Sequence, residues 1–120
     1  FKEALSYIVL DGAEGAAKIQ QIMANLRQSS PESIGSEPVL RFRDYLSLEE
    51  TDIATGEKTP LTLNRSDVVY FVLKDNGFVC VRPSGTEPKI KLYISVSDRD
   101  EASALARIEQ IEAAMKKLFH

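Results

Sequence analysis

Cysteine and histidine are nearly missing from this chain. Cys80 is the one thiol among 120 residues, so no disulfide can close within it, and a lone thiol suits a reducing compartment. His120, the last residue, is the one imidazole. It leaves no histidine to activate Cys80, and the carboxylates show no metal-ligand spacing. No metal site and no catalytic residue is therefore expected. No apolar run approaches the roughly 20 residues that cross a bilayer. Residues 1–10 do not read as a signal peptide, because Glu3 interrupts them and no small-residue cleavage site follows. An excess of positive charge is lacking as well. Lys and Arg number 15 against 18 Asp and Glu, a formal net charge of -3. Neither nucleic acid nor a membrane is an expected partner, and any anion site has to be local.

What is present suits a soluble globular chain. The 120 residues are enough for one core and too few for two, so residues 1–120 are read as a single domain, with 1–10 an extended lead-in or linker. The start at Phe1, without methionine, suggests a piece of something longer. Asp11 and Glu14 form a capping-box-like start to a helix, and Ile19, Ile22, Met23 and Leu26 recur along it at helical spacing. Ser29-Ser30-Pro31 ends it. Residues 39–47 alternate as a half-buried strand. Residues 48–66 are polar, with a turn at Thr55-Gly56-Glu57, and Pro60 argues against a central strand there.

The run 68–73 predicts the strongest strand. Asp75-Asn76-Gly77 then turns the chain into a return strand over 78–82. Over 90–96, Leu92, Ile94 and Val96 share one face, and Lys91, Tyr93 and Ser95 the other. Asp98 and Glu101 start a second helix with Leu105, Ile108, Ile111, Met115 and Leu118 along one side. The fold class is α+β: an antiparallel sheet of about four strands, covered on one face by two helices. Cys80 is expected as a buried structural thiol, and Tyr70, Phe71, Phe78 and Tyr93 as sheet packing.

The loop after the return strand has a different chemistry. Between Arg82 and Lys91 lie Pro83-Ser84-Gly85-Thr86-Glu87-Pro88-Lys89-Ile90. Gly85 lets the backbone approach an anion, Ser84 and Thr86 add hydroxyl donors, and Arg82 can grip two oxygens at once. Pro83 and Pro88 stiffen both ends, which lowers the entropy lost on binding. Three basic residues (Arg82, Lys89, Lys91) against Glu87 give +2 locally, inside a chain of -3. By composition alone the same stretch is also an ordinary glycine turn.

The order of residues says more. Arg82-Pro83-Ser84-Gly85-Thr86-Glu87-Pro88-Lys89-Ile90-Lys91 resembles the phosphate-binding loop of the α-D-phosphohexomutase family, the phosphoglucomutases and phosphomannomutases, and is nearest to bacterial phosphoglucomutases. Asp11-Gly12-Ala13-Glu14-Gly15-Ala16 and the Asp75-Asn76-Gly77 hairpin are similar to the same family's C-terminal, fourth domain. The resemblance implies a fold like that of the TATA-box-binding protein. It also implies that Arg82, Ser84, Gly85 and Thr86 contact a substrate phosphate, with Lys91 standing where many relatives carry arginine. Loops of the family that carry the phosphoserine, the magnesium and the sugar reader do not occur here. The implied role is substrate-phosphate binding in a cytoplasmic enzyme that interconverts hexose 1-phosphate and hexose 6-phosphate. Glucose or mannose phosphate and the other domains of the parent chain are the implied partners. Magnesium is implied for the parent and no cofactor for this chain. The alternative is a non-catalytic anion-binding or protein-docking module.

Overall fold

The computed structural model describes residues 2–9, 15–84 and 89–119. Its centre is the run that carries most β-branched and aromatic residues: β7 (Val69–Val72) pairs with β8 (Phe78–Pro83), which pairs with β9 (Lys89–Val96). β4 (Arg41–Asp44) joins the free edge of β7. Every pairing in this sheet is antiparallel, though only the pairs of consecutive strands are hairpins.

The sheet is larger than expected. Among the described residues it has seven strands rather than about four, in the order β1-β9-β8-β7-β4-β5-β6. The extended lead-in is, over β1 (Lys2–Val9), an edge strand paired to β9 along its length. At the other edge lie β5 (Glu49–Asp52) and β6 (Lys58–Pro60). Their sequences hid them because almost no side chain there is buried, so no alternation is needed. Pro60 sits in the outermost strand, where a missing N–H costs no ladder bond. A separate hairpin of β2 (Ser33–Ile34) and β3 (Glu37–Pro38) completes the strands.

Helix α1 (Gly15–Gln28) and helix α2 (Glu101–Leu118) cover one face of the sheet. Their main contacts are with β7, β9 and β1. Ile19, Ile22, Met23 and Leu26 of α1 meet Val69, Phe71, Val79, Val81, Ile90, Leu92, Ile94 and Val96 in one core. On α2 the buried stripe is Ala104, Ile108, Ile111 and Met115, continued by Phe119. Leu105 and Leu118, expected on that stripe, are exposed at 41% and 45%. The cap of α2 is displaced as well. Asp100, not Asp98, is the N-cap and accepts from the Ser103 N–H at 2.7 Å. The Asp11 cap and Glu14 expected for α1 lie outside the described residues.

Two arginines pin the helices to their surroundings. Arg107 of α2 donates to both carboxylate oxygens of Glu37, at 3.2 and 2.7 Å, to the Ser97 carbonyl at 2.8 Å and to Asp98 at 3.3 Å. Arg27 of α1 donates to Asp44 at 3.0 Å and to Asp67 at 2.7 Å.

Candidate functional site

The β8–β9 hairpin ends where the loop of interest begins. The sheet register sets Arg82 opposite Lys91 and Pro83 opposite Ile90. Beyond them the Ser84 N–H donates to the Lys89 carbonyl at 2.9 Å and closes the mouth of the loop. Strand alternation then decides which side chains share a face. Val79, Val81, Ile90 and Leu92 are fully buried in the core. Cys80, Arg82, Lys89, Lys91 and Tyr93 therefore point to the opposite, helix-free face. The structure thus brings Arg82 and Lys91 together at one corner of that face, with Ser84 at the loop mouth beside them. Gly85 and Thr86, with Glu87 and Pro88, lie outside the described residues.

Two cations face each other across the corner. Arg82 is exposed and Lys91 half-buried. Neither has a hydrogen-bond or ion-pair partner among the described residues. Like charges directly opposite on neighbouring strands repel, so the pair is unfavourable until an anion lies between or above them. Elsewhere on the face the cations are matched. Arg43 bonds Glu50, and Arg41 lies 3.9 Å from the same carboxylate. Burial lowers the Arg43 pKa, but the bonds to Glu50 and Tyr45 outweigh it and hold the guanidinium above its ordinary value.

Cys80 sits beside the corner. Burial pushes its thiol up to about 11, and the charge of Arg82 pulls only weakly the other way. At neutral pH it is a thiol and no nucleophile. Burial also raises the Tyr70 hydroxyl above its usual range, against the pull of Arg43. Two clefts open elsewhere. One of about 710 Å³ lies between Pro38, Leu40, Asp52 and Ile53, and one of about 240 Å³ between Arg27, Phe42, Glu49 and Lys58. Neither touches the corner. Among the described residues no cluster of His, Cys, Asp or Glu could hold a metal ion. No helix among them is long and apolar enough to cross a membrane.

This antiparallel α+β fold coincides with a family match. Residues 47–114, from just before β5 into α2, match the model of the phosphoglucomutase/phosphomannomutase C-terminal domain, and the chain belongs to that family. A phosphoglucomutase of Staphylococcus saprophyticus subsp. saprophyticus is 41% identical over 96 residues, which are 80% of this chain and 17% of that protein. A phosphoglucomutase of Staphylococcus aureus (strain MSSA476) is 42% identical over 91 residues, 76% of this chain and 16% of its own. One of Staphylococcus epidermidis (strain RP62A) is 36% identical over 97 residues, 81% and 18% respectively. The chain spans less than a fifth of the length of these relatives.

Proposed function

We propose that this chain is the substrate phosphate clamp of a phosphohexomutase that interconverts hexose 1-phosphate and hexose 6-phosphate. The observation that carries the reading is the cross-strand pair Arg82 and Lys91, two cations without an ion-pair partner among the described residues, at the mouth closed by Ser84. Arg82 takes two phosphate oxygens through its planar fork, and Lys91 adds a point charge beside it. Ser84, Gly85 and Thr86 supply hydroxyl and backbone donors. The contribution to the reaction is orientation and charge neutralisation: the clamp holds the phosphate that is not being transferred. The chain alone transfers nothing, and the magnesium implied for the parent falls to a loop not found in this sequence. The setting is cytoplasmic, with glucose or mannose phosphate and the parent's other domains as partners.

A titration followed by amide NMR tests the reading. Inorganic phosphate and glucose 1-phosphate are expected to shift the Ser84 amide with a Kd on the order of millimolar, because one contact surface alone supplies the affinity. Arg82→Ala should abolish the shift and Arg82→Lys should weaken it. Shifts centred on either cleft, with Ser84 unmoved, would sink the proposal in favour of a docking module.

A further inference from the structure

The cationic corner has a rim. The register sets Asp44, Val69 and Val81 in one row across β4, β7 and β8. Tyr45 and Arg82 are the next residues of their strands toward the same end of the sheet, two strand spacings apart, about 9.5 Å. The β4–β5 turn, residues 45–48, therefore leaves the sheet beside the corner. Residues 61–66 run along that turn. The Leu61 N–H donates to the Leu48 carbonyl at 2.8 Å and the Ser66 N–H to the Tyr45 carbonyl at 3.1 Å. The Arg65 guanidinium donates to the Leu46 carbonyl at 3.4 Å.

These two paired segments carry apolar side chains that the core does not use. Leu46 is 47% and Leu63 55% exposed, the most exposed of the large apolar residues described. Leu48 is half-buried at φ 59°, a left-handed backbone that glycine adopts freely and leucine seldom does. The segments are nonetheless firmly held. Asp44 accepts from the Leu46 N–H at 2.9 Å, and Arg27 bridges Asp44 to Asp67, so one guanidinium ties down the bases of both. Exposed leucines on a preorganised support describe a contact surface better than a solvated loop.

We infer that Leu46 and Leu63 form a docking rim: they seat on an apolar surface of the parent enzyme's other domains when a hexose phosphate rests on Arg82 and Lys91. The inference rests on the phosphate reading above and adds a protein contact to it. On that reading the reacting end of the substrate belongs to the other domains. A hexose phosphate is only about two strand spacings long. Those domains therefore come as near to Arg82 as the turn at Tyr45 already lies, and the leucines beside it are what they meet. The relatives extend beyond the matched region by most of their length, which is ample chain for such a surface. Leu105 and Leu118 are exposed too, but on α2 in the helix layer. They serve as the control.

The test uses the full-length enzyme for activity and amide hydrogen exchange, and the 120-residue chain for phosphate titration. In the unaltered enzyme, glucose 1-phosphate should slow exchange over 45–48 and 61–66 by about 10-fold. Leu46→Ser with Leu63→Ser should lower kcat/KM for glucose 1-phosphate roughly 10-fold. The same pair should leave the Ser84 shift with inorganic phosphate unchanged in the 120-residue chain. Leu105→Ser with Leu118→Ser should change kcat/KM by less than about 2-fold. Exchange in the unaltered enzyme keeps the test decisive if the leucine variants do not fold. Equal losses in the two pairs overturn the rim in favour of general stability. Unslowed exchange and full activity of the Leu46 and Leu63 pair, with Arg82→Ala inactive, overturn the rim and leave the clamp standing. Protection that follows protein concentration and not substrate overturns it in favour of a second copy. Full activity of Arg82→Ala overturns both clamp and rim.

Discussion

The Asp75-Asn76-Gly77 turn shows how a residue can be correctly placed for a different reason. The sequence predicts a hairpin because Asn-Gly tolerates left-handed backbone. The hairpin is there, but Asp75 and Asn76 are the left-handed residues, at φ 55° and 63°, while Gly77 has an ordinary φ of -70°. Glycine is needed at 77 for space. A Cβ there would lie 3.0 Å from the Ser95 carbonyl oxygen and 3.2 Å from that of Lys74. Both are backbone atoms and cannot swing aside. Gly56 is the converse, at φ +77° with open space around it. Gly77→Ala should therefore cost about 2 kcal/mol through overpacking, and Gly56→Ala about 1 kcal/mol through backbone strain alone. Urea midpoints of the two variants test the order, and an equal or reversed ranking would refute the steric account.

Elements were legible in proportion to how one-sided their burial is. β7, β8 and β9 alternate against a core, and the stripe of α1 does the same, so periodicity found them. β5 carries charge on both faces and β6 is exposed throughout, so neither left such a trace. The ring of contacts around Arg107 was equally silent, because its partners are far off in sequence: Glu37 lies 70 residues away. The choice of Asp100 over Asp98 as cap follows from that ring, since Asp98 is turned toward Arg107. The corner was legible only through the order of its residues; the partnering of Arg82 with Lys91 needed the register. Glu37 is 6% exposed, so removing its cation leaves a carboxylate that water barely reaches. Arg107→Ala should cost roughly 3 kcal/mol and loosen the β2–β3 hairpin from α2. Arg107→Leu with Glu37→Leu should recover most of that loss. Chemical denaturation of the three proteins decides it: a double variant no better than the single one would mean that lost packing, not the stranded charge, sets the cost.

For the molecule as a whole, acid stability separates local from global electrostatics. Burial alone would raise the Asp44 pKa, but the Leu46 N–H and the Arg27 guanidinium overcome it and hold the carboxyl below its ordinary value of 3.8. A depressed folded pKa means the unfolded chain binds the proton first as pH falls. The stabilisation is complete above pH 3.8 and drains away as pH drops through the lower, folded value. Over the same range 18 carboxylates lose charge while 15 Lys and Arg keep theirs, so a chain of -3 becomes strongly cationic and repels itself. Salt tells the two apart, because it screens the diffuse repulsion and hardly touches a pair as enclosed as Arg27 and Asp44. Asp44→Asn should be less stable than the parent at pH 7 and lose less further stability between pH 5 and 2. That difference in acid slope should survive the addition of about 0.5 M salt, read by thermal midpoints at each pH. If salt erased it, the acid limb would belong to net charge alone, and the tie from α1 to β4 through Arg27 would contribute nothing measurable.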